Sequence, residues 1–279
     1  VGYKFSFRQL PITGWIALVL IIIILGMALF APFISRYNPL EINMHKRLSP
    51  PSFEHWFGTD PYGRDIFSRI AFGARVSIVV AFLAVSIAFL GGIILGITAG
   101  YFGGKVDLIV MRFMDLLLSF PLLLLALLLV AVLGTGIFNL VLAISIAFLP
   151  NFARLIRATT MSLAQSPFVL AEKALGASSL RIMFKHILPN AVGPSLVLAA
   201  LSLGNAVLLE SSLSFLSLGV PVPTPSWGNI LSEGQKYLRV APWIATIPGL
   251  FIMLTVLGFN MLGEALRELS DPRLRQWRV

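Results

Sequence analysis

Residues 171–190 read "AEKALGASSLRIMFKHILPN", a concentration of charge and turn residues inside a chain otherwise suited to lipid. Of 279 residues, 57% are hydrophobic and 12% charged, against about a quarter charged in ordinary soluble domains. An all-α membrane protein is expected, and the 23 Gly and 17 Pro fit it, because packed neighbouring helices satisfy the backbone groups such residues free. The net charge of +9 would suggest nucleic acid in a soluble protein. In a membrane chain it reads instead as basic loops that set topology and meet anionic lipid, with no nucleic acid as partner. Without cysteine, disulfides and Cys-ligated metals are excluded.

Crossing a hydrocarbon core takes about 20 helical residues. Six apolar runs satisfy this, near 12–34, 76–100, 112–133, 137–157, 191–218 and 241–265. The first follows Lys4 and Arg8 but exceeds the usual apolar length of a signal peptide and lacks a cleavage site, so it is expected to remain as a span. Lys and Arg favour both termini on the cytoplasmic side, with a tail at 1–11, a six-span domain at 12–265 and a second tail at 266–279. The segment 35–75 then lies outside and carries six of the outer Lys and Arg.

In that topology the opening stretch is part of a cytoplasmic loop, 158–190. Ser166 before Pro167 predicts a helix start, and Gly176 supplies the left-handed residue that ends it. Ser178 is placed to cap a second helix, with Leu180, Met183, Phe184 and Ile187 at helical spacing and Arg181 and Lys185 on the other side, before Pro189 leads into the next span. Such a helix–turn–helix either rests on headgroups or meets a partner that pushes on it.

The stretch resembles the "EAA…G…I.LP" loop of the membrane subunits of ABC importers, in which the helix before the glycine fits a cleft of the ATPase. Ala171, Gly176, Leu188 and Pro189 match the pattern, while Leu170 stands at its Glu, Glu172 at its second Ala and His186 at its Ile. Three further stretches, "FGTDPYGRDIFSRIAFGARVSI" (57–78), "FLSLGVPVPTPSWGNIL" (215–231) and "LGEALRELSDPRLR" (262–275), extend the resemblance over nearly the whole chain. Together they are similar to the C-type permeases of the peptide, opine and nickel uptake group. The resemblance implies a type I ABC importer permease fold in a bacterial or archaeal inner membrane. The implied partners are a sister permease, a pair of cytoplasmic ATPases that hold ATP and Mg, and an extracytoplasmic solute-binding protein. It implies that Ala171, Glu172, Ala174, Leu175, Gly176, Ala177, Leu188 and Pro189 couple to the ATPase. Di- or oligopeptides are the expected solute, with nickel or metal chelates, opines and other small solutes as alternatives.

The motifs also have local physical content. Asp60, Pro61, Tyr62 and Gly63 are a turn signal, with Asp65 placed to cap the following helix; the segment either leads rigidly into the second span or helps dock the binding protein. Pro221, Pro223 and Pro225 beside Trp227 stiffen an outer loop, as a docking rim or a brace. Ionisable groups inside spans are costly and mark interiors or pathways. Asp115 has Arg112 three residues earlier as a local partner. Glu210 has no basic residue within two turns, and Ser214 and Ser217 are expected on its side of the helix. Glu210, Ser214, Ser217 and Asp115 are the candidate residues of the translocation pathway, with Glu210 read as a cavity wall or a hydrogen-bond partner of the sister subunit, against a buried, protonated structural carboxyl. Ser202, Asn205 and Ser212 lie on another face and suit helix packing.

No catalytic residue or metal site emerges. "GGKVD" (103–107) fails the spacing of a phosphate-binding loop, and His45, His55 and His186 fit no metalloprotease pattern. ATP hydrolysis is therefore expected on other chains, with no cofactor in this one. An intramembrane enzyme would need a facing nucleophile and base; a secondary transporter would show related halves and a paired ion site. Neither pattern is present.

Overall fold

The computed structural model describes residues 10–270. Lys4, Arg8 and residues 271–275 of the tail motif lie outside them. Every regular element among the described residues is helical. Helix α1 (Ile12–Leu29) crosses first and is followed at once by the short α2 (Ala31–Ile34). The outer segment then leads to α3 (Ile66–Phe102), whose 37 residues span about 55 Å. That helix begins ten residues before the apolar run at 76–100, because Asp65 accepts the Ser68 amide at 2.8 Å and caps its first turn. The capping expectation holds.

The third span differs from the expected continuous helix over 112–133. It is a pair, α4 (Gly104–Leu118) and α5 (Leu122–Leu133), bent by 95°. Pro121 supplies no amide and disfavours helical backbone in the residue before it, so the helix stops there. Helix α6 (Ile137–Ala164) carries Pro150 without breaking. It is followed by α7 (Pro167–Ala174) and α8 (Ser179–Arg181). A π-helical turn, Ile182–Ile187, joins α8 to α9 (Leu188–Phe215), so the second half of the loop and the fifth span form one path. After the outer loop come α10 (Trp227–Gln235) and α11 (Trp243–Ser270). Among the described residues, five helices are long and apolar enough to cross a membrane, or six spans with the bent pair counted as one.

The core lies where α3 crosses α6. Gly92, Gly96 and Gly100 recur every fourth residue, and a Cβ on Gly96 would stand 2.7 Å from the Ala153 carbonyl oxygen. Small residues at this spacing let two backbones approach, the main source of packing energy between helices in lipid. Helices α9 and α11 pack alongside, and α1 lies against α11 and α3.

Candidate functional site

The predicted coupling loop forms as a fixed corner. The amide of Gly176 donates to the Lys173 carbonyl and that of Ala177 to Glu172, both at 3.0 Å. This paired reversal closes the end of α7 and needs the positive φ of Gly176, +82°. Ser178 accepts the Arg181 amide at 3.4 Å, as expected of a cap. Ser166 occupies the cap position of α7, but its hydroxyl donates back to the Leu163 carbonyl and no cap bond forms. Pro167 at the first helical position makes the start without it.

Val169 fastens α7 by burial against Ile182 and Ile187. Its other ties are Lys173, whose ammonium lies 5.0 Å from the Tyr101 ring centre at the end of α3, and Glu172, 3.4 Å from His186 in the π turn. The opposite side of the corner is apolar and uncovered: Leu175 is 84% exposed, and Phe168, Leu170 and Leu180 are exposed beside it. Ala171, Ala174 and Gly176 share that exposure, while Ala177 and Leu188 are half-buried and Pro189 is exposed at the start of α9. Met183 and Ile187 turn inward as expected, whereas Leu180 and Phe184 face outward.

The membrane half places the other candidates differently. Glu210 is fully buried within this chain. Its carboxylate accepts from the hydroxyls of Ser214 at 2.8 Å and Ser211 at 3.3 Å, and the buried Ser77 and Ser226 close round it. The Ser214 hydroxyl also accepts the Val220 amide at 3.1 Å, so the carboxylate anchors the outer loop. The loop sits tightly over it: a Cβ on Gly219 would fall 2.1 Å from the Ser214 oxygen. Asn229 donates to the Val220 carbonyl at 2.8 Å and the Trp227 indole to that of Ile70 at 3.1 Å, which tie the loop to α10 and α3. Ser217 is not on the helix at all, because α9 ends at Phe215 and Ser217 takes a positive φ of 63°.

Glu210→Gln should therefore leave thermal stability and uptake nearly unchanged, since an amide still offers an oxygen to the Ser214 hydroxyl. Glu210→Leu should lower stability by about 1–3 kcal/mol by stranding buried hydroxyls. Thermal unfolding and uptake of both variants decide the matter; an intact Glu210→Gln complex that no longer transports would return Glu210 to the pathway.

Asp115 is bonded to Arg154 of α6 at 2.5 Å rather than to Arg112. With the bidentate pair of Asp107 and Arg157, it straps α4 to α6. A cavity of about 750 Å³ opens between α5, α9, α10 and α11, lined by Leu123, Leu208, Met253 and other apolar side chains, with Ser211, Ser212 and Asn260 as polar points. Ser212, whose spacing suits helix packing, lies on this wall. No group of three His, Asp or Glu capable of holding a metal occurs among the described residues.

At the start of α3 lies a cluster assembled from distant parts of the chain. Asp60 accepts from Arg64 and Arg69 at 2.5 Å each, and Glu233 of α10 accepts from the same two at 2.7 and 2.6 Å. Two carboxylates and two guanidinium groups, largely buried, bolt the outer segment, the start of α3 and α10 together.

Residues 92–276, a range that includes the α7 corner, match the family described as binding-protein-dependent transport system inner membrane component. The chain belongs to that family. Residues 13–51 match the N-terminal transmembrane domain of oligopeptide transport permease C. The permease is 45% identical to the dipeptide transport system permease DppC of Alkalihalophilus pseudofirmus, over 96% of this chain and 87% of the relative. It is 43% identical to the oligopeptide permease OppC of Bacillus subtilis, over 98% and 88%, and 40% to the glutathione permease GsiD of Pectobacterium atrosepticum, over 91% and 85%. In fold it is similar to the MetNI methionine ABC transporter in its inward-facing form, with a TM-score of 0.56 and 19% identity over 73% of this chain and 97% of that one. The permease is thus a multi-pass transport subunit of an ABC importer with the type I fold, and not an enzyme.

Proposed function

We propose that the permease forms half of a translocation pathway for di- or oligopeptides in a bacterial or archaeal inner membrane, with both termini cytoplasmic. A sister permease completes the pathway, a pair of cytoplasmic ATPases binds ATP and Mg, and a solute-binding protein delivers the peptide to the face carrying segment 35–75. The observation that carries the reading is the α7 corner. Its inner side is tied to α3 by Lys173 and Tyr101 and to the path into α9 by Val169 and Glu172, while its outer side offers exposed Leu175 and Leu170 to a partner.

ATP-driven closure of the ATPases moves α7 with them, and these ties pass the displacement to α3 and α9. Inward- and outward-open states then differ in their contacts, which supplies the energy of alternating access. The cavity between α5, α9, α10 and α11 supplies a wall of the path. Its apolar lining accepts varied side chains, and Ser211, Ser212 and Asn260 offer hydrogen bonds to a peptide backbone. The relatives named for dipeptides, oligopeptides and glutathione support a peptide over a metal chelate. Glu210 and Ser214 act beneath that wall as the anchor of the outer loop, and Asp115 as a strap of α4.

Gly176→Val tests the corner. No atom lies within 4 Å of a Cβ placed there, so the substitution acts through the backbone alone, at about 1–2 kcal/mol for a left-handed residue. Weaker copurification of the ATPases and reduced peptide uptake are expected, with the spans still inserted. Normal copurification together with normal uptake would sink the coupling role.

A further inference from the structure

Where α1 leaves the membrane, Phe33 and Phe53 stand exposed near Trp56, whose ring is half open and packs edge-on against Phe67. Helix α1 has 18 residues, a length of about 27 Å, close to the roughly 30 Å of a hydrocarbon core. Helix α2 follows directly, so Phe33 and Arg36 fall at the boundary with the headgroups. Seventeen residues on, the chain returns to the same place: the Arg36 guanidinium donates to the Phe53 carbonyl at 3.2 Å and lies 4.6 Å from the Trp56 ring centre. Phe53 is 97% exposed and Phe33 84%. Arg36 is exposed, and no carboxylate among the described residues lies within ion-pair distance of it.

We propose that Phe33, Arg36, Phe53 and Trp56 dock the outer segment onto the phospholipid leaflet, with the rings in the acyl–headgroup boundary and the guanidinium on a lipid phosphate. Three observations favour lipid over a protein partner. Phe33 continues the exposed stripe of Ile22 and Leu29 on α1, so the patch extends a membrane-facing surface. Aromatic rings with an apolar body suit the interfacial layer. The guanidinium has five N–H donors and uses one on Phe53, which leaves a fork for a phosphate. Asp60 and Arg64 of the segment turn toward the protein, and the exposed Glu54 beside Phe53 is paired with Lys46.

Which leaflet is meant rests on the orientation proposed above; the docking itself does not. The chain has no cysteine, so a single nitroxide is placed at Phe53→Cys in the assembled complex, in nanodiscs of phosphatidylethanolamine and phosphatidylglycerol. Both faces of a nanodisc are open, so depth is read whatever the orientation, and a failure here leaves the Gly176 test untouched. The label should be more accessible to oxygen than to a water-soluble nickel chelate, like one at Ile22→Cys and unlike one at the exposed Lys236→Cys. Adding Arg36→Glu should shrink that preference several-fold while the Ile22→Cys reading stays unchanged. Three results would each overturn the proposal: a Phe53→Cys label that behaves as Lys236→Cys does, a preference indifferent to Arg36→Glu, or shielding from both reagents only when the solute-binding protein is added.

Discussion

Asp60→Ala should destabilise the assembled permease by about 3–5 kcal/mol, the cost of breaking a buried ion pair by removing one partner. Asp60 is fully buried and its carboxylate is saturated. One oxygen accepts the Tyr62 and Arg64 amides at 2.8 and 3.0 Å, and the other accepts the two guanidinium groups at 2.5 Å. Alanine leaves Arg64 and Arg69 sharing Glu233 alone, with an uncompensated cation in a poorly hydrated site. The outer segment should loosen first, because the same side chain holds its turn through the Tyr62 and Arg64 amides.

Asp60→Asn keeps the turn acceptors and loses the charge, so it should fall between wild type and Asp60→Ala. Asp60→Asn combined with Arg69→Met restores neutrality and should recover part of the loss, because residues in one ion network are not additive. Thermal unfolding of the purified complex and protease cleavage within 35–65 measure both effects. An Asp60→Ala complex as stable and protease-resistant as wild type would show that the cluster holds nothing.

Gly96→Val should prevent α3 and α6 from closing. A Cβ at Gly96 meets the Ala153 carbonyl oxygen at 2.7 Å, the Ile156 Cβ at 2.8 Å and the Arg157 amide nitrogen at 3.0 Å. Two of these are backbone atoms, which give way only if the helix moves. Overpacking of this kind costs about 1–3 kcal/mol and occasionally more, and in lipid no hydrophobic term remains to hold the displaced helices together. Gly96→Ala should already lower the yield of folded complex, and valine should lower it further. Gly26→Val on α1, where a Cβ would meet nothing within 4 Å, is the control and should be nearly silent. Equal yields for Gly96→Val and Gly26→Val would refute the close approach.

Several features of the fold and the site were legible because they depend on neighbours in the chain. The Gly176 reversal and the Asp65 cap are completed within a few residues, so the residue types sufficed. The Pro121 bend was legible in principle, as the one proline in the apolar run 112–133, but hydropathy averaging passes over it. The glycine spacing at 92, 96 and 100 was equally visible, although it says nothing of which helix fills the stripe. Asp115 shows the limit of local pairing: Arg112 was available three residues away, yet Arg154, 39 residues on, takes the bond, because α4 turns that side toward α6.

By itself the sequence determined that this chain crosses a membrane as a helical bundle with a charged, glycine-turned loop between two spans. Hydropathy sums over about 20 residues and a turn closes over four, so neither needs a partner from elsewhere. Only the tertiary structure decided what surrounds each polar group. Arg69 and Glu233 meet across 164 residues, the outer loop folds down over Glu210, and Ser211 rather than Ser217 lines the cavity. Those outcomes depend on which faces of α3, α9 and α10 pack together. That choice rests on steric fit between distant backbones and on the high cost of an unpaired charge away from water.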